Sequence, residues 1–151
     1  MRYILDGCDG TGKTTKANLL AKEYKCDILH LTSWSDKRYS SYIRRLNCFD
    51  GVIFDRSFIS EYVYSKVFDR YSEIDDHALE SLIWSAKKLD YHIIIFTCDP
   101  SEIRDRLHIR NDECDNIINN IEKLNSLYVD VAKKYNLTVF DTSVRRKNEI
   151  I

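Results

Sequence analysis

The sequence predicts an α/β fold of three layers, a mainly parallel five-stranded sheet flanked by helices. Three observations lead to it. Five short apolar runs, rich in β-branched and aromatic residues, recur along the 151 residues, and segments of helical period lie between them. The most apolar run, 91–97 (YHIIIFT), lacks the alternation of a half-solvated strand, as suits a central strand covered on both faces. In order, 2–6 (RYILD) is a strand that ends at a glycine, and 13–25 is a helix with Ala17, Leu20, Ala21 and Tyr24 on one face. Residues 27–31 (DILHL) form the second strand, and Tyr39, Tyr42, Ile43 and Leu46 mark a basic helix that ends near Asn47. The third strand is 51–55 (GVIFD). Helical period resumes over 57–68 and 75–89, where Asp75 and Asp76 at the start and Lys87 and Lys88 at the end suit the helix dipole. Pro100 fits the first turn of another helix. After a charged segment at 104–115, one long helix over 116–134 carries Ile117, Ile121, Leu124, Leu127, Tyr128 and Val131 on a stripe, and 136–141 (NLTVFD) closes the sheet.

Composition narrows the function. Apolar residues at 44% and charged residues at 31% support a packed core within one domain, 1–151. Twenty-three Lys and Arg against 24 Asp and Glu leave a formal net charge of -1, so no global field recruits nucleic acid or an acidic membrane; an anionic ligand must be held by a local cluster. The first ten residues, MRYILDGCDG, do not read as a signal peptide and no run is long enough to span a membrane, so the expectation is a cytoplasmic protein without a membrane partner. Five cysteines lack CxxC spacing, which argues against a disulfide framework or a zinc site and for small reduced core residues. The four histidines show no metal-ligand spacing and are expected in structural roles.

Gly7-Cys8-Asp9-Gly10-Thr11-Gly12-Lys13-Thr14 matches GxxxxGK[ST] between a predicted strand and a predicted helix. The glycines let successive backbone N–H groups converge on phosphates, and the helix that follows points its positive end at the same anion. Lys13, expected as an exposed loop lysine, adds a point charge for the β and γ phosphates, and Thr14 offers a hydroxyl to Mg²⁺. The fold so predicted is the P-loop NTPase fold, with ATP held by residues 7–15, Thr15 included. No NKxD-type guanine-reading sequence follows Thr97 or Asp141, which weighs against a GTPase.

Directly after the third strand comes Asp55-Arg56-Ser57-Phe58-Ile59-Ser60-Glu61-Tyr62-Val63-Tyr64. A carboxylate at a strand end beside a phosphate loop can reach Mg²⁺, and the adjacent Arg can bridge two phosphoryl groups. Here the chain resembles the thymidylate kinase branch of the P-loop nucleoside and nucleotide kinases. The loop, with its acidic Asp9, is similar to that family's GxDGxGKST, and 55–64 is similar to DRYxxSxxAY, with Ser57 for the first Tyr and Val63 for Ala. Asp99-Pro100 followed by Arg106, Arg110, Asp112 and Glu113 resembles its strand-then-lid signature, and 139–143 (VFDTS) its IDAS-like end.

The resemblance implies transfer of the ATP γ-phosphoryl group, with Mg²⁺, to the 5′-phosphate of a nucleoside monophosphate. It implies Asp9 near the acceptor sugar, Arg56 on the acceptor phosphate, Tyr64 beside the acceptor, Asp55 with Thr14 at the metal, and Arg106 and Arg110 in a lid at 104–115. Arg106 and Arg110 share a face if that segment is helical, and Arg104 lies off it. Trp34, just past the second strand, is either a wall for the acceptor base or a loop aromatic. The family's Arg-Glu-Pro sequence is absent after the second strand, where Thr32-Ser33-Trp34-Ser35 stand, and Ser57 leans toward the deoxynucleoside kinases. A deoxynucleoside kinase, a kinase acting on a nucleic-acid base or 5′ end, and an ATP-binding regulator without transfer therefore stay as alternatives, with nucleic acid the less favoured partner. Asp69-Arg70-Tyr71 matches the family tripeptide more literally, but no strand precedes it, and it is read as a helix end. The apolar helices at 57–68 and 75–89 leave a homodimer open.

Overall fold

The computed structural model of the protein describes residues 1–112 and 114–144. Five parallel strands, β1 (Tyr3–Gly7), β2 (Asp27–His30), β3 (Val52–Asp55), β4 (His92–Thr97) and β5 (Thr138–Asp141), form one sheet in the order β2-β3-β1-β4-β5. Helices α1 (Lys13–Tyr24), α2 (Tyr39–Cys48), α3 (Phe58–Val67), α4 (Asp76–Lys88), α5 (Pro100–Ile109), α6 (Asp115–Ile118) and α7 (Ile121–Tyr135) complete the described chain. The α/β class, the strand count and the parallel sheet are those the sequence predicts.

Alternation in β1 divides the core. Ile4 faces a large cluster with Phe54, Phe58, Ile95 and Tyr128, covered by α2, α3, α4 and α7, while Leu5 faces Ala17 and Leu20 of α1. Each fully buried Ile or Phe contributes about 1.5–3 kcal/mol. The apolar residues of α3 and α4 go into that large cluster beside the sheet. Caps set the helix starts: Ser57 accepts from Ile59 N at 3.1 Å, Asp75 from Ala78 N at 2.8 Å, and Asp99, before Pro100, from Ser101 N at 2.9 Å.

Two expectations fail. The helix drawn over 116–134 is two helices, α6 and α7, because Asn120 takes φ −121°, ψ 13° between them. Consecutive Asn119 and Asn120 have side chains that compete for backbone groups, and the apolar period runs on across the break, so periodicity hides it. The segment from Arg104 is not a separate charged stretch either; α5 continues through Ile109 and packs Ile103 and Leu107 against Ile121. Among the cysteines, Cys8 and Cys98 are buried as expected, but Cys48 and Cys114 are exposed.

The chain leaves β1 for β2 on one side, returns to β3, then crosses to β4 on the other side. The carboxyl ends of β1 and β3 therefore open on a crevice at the switch point, where ligands of such sheets bind. Among the described residues no helix is long and apolar enough to cross a membrane.

Candidate active site

The loop after β1 is shaped by its glycines. Gly7 has φ 144°, and a Cβ there would lie 2.4 Å from the Phe96 carbonyl oxygen of the paired strand. Gly10 sits at φ 77° against Ile103 and Leu107, so α5 packs directly on the loop. Below it, Asp6 is fully buried and accepts six hydrogen bonds, from Gly7 N, Ser57 N, Ser57 Oγ, Ser60 N, Ser60 Oγ and the Tyr128 hydroxyl, at 2.5–3.1 Å. One carboxylate thus ties the loop to the start of α3 and to α7. In the sequence Asp6 reads only as a strand end; the signal for its role is an acid inside an apolar strand run, which is rare without a full set of donors.

Lys13 is not the exposed lysine expected. It is 5% exposed, and its Nζ donates to the Cys8 carbonyl at 2.7 Å across the loop. Burial, with the Arg56 guanidinium beside it, pulls its ammonium down to about 8. The Thr11 hydroxyl donates to the same carbonyl at 2.7 Å. Cys8 itself turns its thiol into the core, where burial pushes it up to about 11; only its backbone belongs to the loop.

A cleft of about 220 Å³ opens over this loop, lined by Gly10, Gly12, Lys13, Thr14 and Thr15 together with Asp55, Arg56, His30 and Arg110. Thr14 Oγ1 donates to Asp55 Oδ2 at 2.7 Å, and His30 Nδ1 meets the same oxygen at 2.8 Å. His30 and Asp55 are partners in the β2–β3 register, which explains the contact. His30 is therefore a site residue that histidine spacing did not find.

A second cleft of about 450 Å³ shares Asp9, Arg56, Leu31 and Thr32 with the first and runs along α3 past Ser60, Glu61 and Tyr64 to Arg70. Arg56 stands at the junction. Its Nη2 pairs closely with Asp9 Oδ1, its guanidinium lies 5.6 Å from the Tyr64 ring centre, and the Tyr64 hydroxyl donates to Asp9 Oδ2 at 2.9 Å. Burial by itself would lower Arg56, but Tyr64 and Asp9 raise it well above the usual range, and burial raises Tyr64. Arg56 also has φ 76°, a left-handed backbone that costs a non-glycine residue roughly 1–3 kcal/mol. Its N–H donates to Leu5 O at 2.9 Å, and Ser57 N to Asp6 just after it, which together fix the turn.

Two expected site residues are placed differently. Trp34 is 95% exposed and stands away from the second cleft, whose lining there is Thr32, Ser33 and Lys37. Arg106 is braced rather than poised: it donates to Gly10 O at 3.1 Å, Thr142 Oγ1 at 3.0 Å and Thr142 O at 2.8 Å, tying α5 to the loop and to the end of β5. Arg110, the cap of α5, keeps helical dihedrals and its N–H donates to Arg106 O at 3.1 Å, so it stands one turn beyond Arg106 on the same face; of the two, Arg110 lines the phosphate-loop cleft. Arg104 pairs with Glu122 at 2.5 Å, and Glu113 lies outside the described residues. Arg70, set aside with 69–71, lines the second cleft.

No protein-family model matches the chain. It is 33% identical over 115 residues to the SPbeta prophage-derived uncharacterized protein YorR of Bacillus subtilis (strain 168), covering 73% of this chain and 69% of that protein. The chain belongs to the YorR family. A crystal structure of Bacillus subtilis YorR in complex with phosphorylated GDP is similar with a TM-score of 0.77 and 28% identity, over 95% of this chain and 85% of that one. This YorR-family protein also matches deoxyadenosine kinase from M. mycoides (TM-score 0.61, 16% identity, 94% and 89% covered) and thymidylate kinase from Candida albicans (0.58, 14%, 95% and 84%), which show the fold. The thymidylate kinase-like P-loop fold expected from the motifs is thus the fold of the YorR family.

Proposed function

We propose that the protein is a phosphotransferase that moves the γ-phosphoryl group of ATP to the 5′-phosphate of a nucleoside monophosphate, as one domain with Arg110 at the rim of the donor site. The observation that carries this reading is the position of Arg56 where two clefts meet, one over the phosphate loop and one along α3. A guanidinium there can touch donor and acceptor phosphates at once. Phosphoryl transfer needs such convergence, because negative charge spreads over the oxygens of the transferred group. The phosphorylated GDP held by the YorR structure supports a nucleotide ligand.

The donor set suits Mg²⁺. Thr14 and Asp55 supply a hydroxyl and a carboxylate, hard oxygens in contact with each other, and among the described residues no cluster of His, Cys, Asp and Glu forms a closed cage. That is the arrangement of a cation held mostly by phosphates and water. Thr14 and Asp55 would hold the ion, which when bound neutralises charge on the phosphates. Lys13 steadies the terminal phosphates, Asp9 and Tyr64 orient Arg56, and His30 fixes the rotamer of Asp55.

Chromatographic separation of products from labelled ATP incubated with nucleosides, nucleoside monophosphates and short oligonucleotides tests the proposal. Label is expected in a nucleoside diphosphate. Label in a monophosphate or an oligonucleotide instead identifies a different acceptor class, and ATP binding without transfer identifies a regulator. Arg56→Lys is expected to lower turnover on the order of 10²-fold although the charge is kept, because a point donor replaces a planar fork. Unchanged turnover in that variant places the phosphate clamp elsewhere.

A further inference from the structure

The far end of the acceptor cleft holds a pair of groups that the transfer chemistry does not use. Glu61 lies on the face of α3 that carries Ser57, Ser60 and Tyr64, and its side chain is 3% exposed. A carboxylate so far from water must be paired. Its partner is Arg70, whose Nη1 and Nη2 donate to Oε1 and Oε2 at 2.7 and 2.8 Å, two parallel bonds in a fork. The two members differ in how firmly they are held. Glu61 is fixed in a buried helix, whereas Arg70 is 42% exposed and sits between α3 and α4, just after Asp69 at φ 49°. Anything that offers the carboxylate the same two donors can displace Arg70 without leaving a bare buried charge.

Among the standard nucleobases only guanine carries that fork. Its N1–H and exocyclic N2–H belong to a guanidine unit, the chemical group of the arginine side chain. Adenine and cytosine offer only an amino group on the corresponding edge, and thymine and uracil a single ring N–H. A cleft of about 450 Å³ is within the size range of small-molecule sites. We infer that Glu61 reads a guanine base and that Arg70 is a displaceable stand-in which occupies the carboxylate until guanine takes its place. This rests on the reading of the second cleft as the acceptor site. Arg70 then retires toward solvent, and the selectivity lies in the two N–H groups that only guanine returns to Glu61.

Calorimetric titration of the full chain with dGMP, dIMP, dAMP, dCMP and dTMP tests this, because dIMP differs from dGMP only by the N2 amino group. The expected result is dGMP at least about tenfold tighter than dIMP and the other three, since a lost hydrogen bond to a buried charge is costly. In Glu61→Gln the preference for dGMP over dIMP disappears, as an amide presents one acceptor and one donor. Arg70→Ala melts lower than the wild type without ligand, yet binds dGMP at least as tightly, because the competitor is gone. Where the alanine variant does not fold, Arg70→Lys, which satisfies one carboxylate oxygen, carries the same expectation. Equal affinity for dGMP and dIMP, a preference for another base, or tenfold weaker dGMP binding by the Arg70 variant overturns the inference. Binding of all five nucleotides alike leaves the acceptor site standing and removes only the guanine reading; binding of none removes both.

Discussion

Lys13→Met is expected to lower turnover on the order of 10²–10³-fold while leaving the melting temperature equal to or above that of the wild type. The two halves have one cause. Lys13 is buried beside the Arg56 guanidinium and its hydrogen bonds go to neutral oxygens, the Cys8 carbonyl at 2.7 Å and Thr11 Oγ1 at 3.5 Å, so burial outweighs the pull of Asp9, Asp6 and Asp55 in the free protein. Its ammonium falls to about 8, below its usual value of 10.5. Between those two pH values Lys13 is more protonated in the unfolded chain than in the folded one, so its own contribution to stability rises with pH across that window. Below it the full cost of the buried charge is present, and Met removes that cost. Urea unfolding of both proteins at several pH values reads the effect as a difference: the wild type gains stability relative to the variant between about pH 8 and 10.5, while groups common to both, such as the Cys8 thiol, cancel. A triphosphate restores the charge, so ATP binding near pH 8.5 is expected to take up a proton, visible as a dependence of the calorimetric heat on buffer ionisation enthalpy. A variant with near-normal turnover, or a stability difference between wild type and variant that does not change with pH, contradicts this account of the loop.

Asp6→Asn is expected to destabilise the protein by about 2–4 kcal/mol, the largest single effect on folding from the site. An amide keeps one acceptor oxygen and turns two N–H groups toward a cage built of donors. Hydroxyls of Ser57, Ser60 and Tyr128 can rotate to adapt, but backbone N–H groups cannot. With its nitrogen on one side the amide opposes Gly7 N; on the other it opposes Ser57 N and Ser60 N. Either choice disturbs the first peptide of the phosphate loop or the turn that carries Arg56. The urea midpoint is therefore expected to fall and ATP affinity with it. A variant that unfolds at the wild-type midpoint shows that the cage is not what joins loop and helix.

The two residues illustrate what a sequence carries. Lys13 is legible because its role depends on local spacing: the loop 7–14 curls wherever its glycines fall in that frame, and a strand before it and a helix after it are written in periodicity. Asp55 and Arg56 are legible for another reason: their partners Thr14 and Asp9 are 41 and 47 residues away, but the run 55–64 resembles a family motif and follows a predicted strand. Asp6, His30, Glu61 and Arg70 are not, since each acts through a partner 9 to 122 residues away. Arg70 reads from the sequence as a helix end, which it is, and the fold also puts it in the second cleft. Arg106 and Trp34 show the opposite case. Their motif positions suggest ligand contacts, but α5 packs on Gly10 and turns the terminal nitrogens of Arg106 to Gly10 and Thr142, and Trp34 is exposed to solvent.

The sequence alone determined the parallel α/β sheet and the phosphate loop, because strand and helix periods and the allowed backbone of glycine are local properties, and it marked Asp55 and Arg56 by the motif they open. Tertiary structure decided the burial of Lys13, the cage around Asp6, the break before α7 and the union of Glu61 with Arg70. Those depend on which surfaces the strand order β2-β3-β1-β4-β5 brings together, and desolvation and hydrogen bonding act only once the surfaces have met.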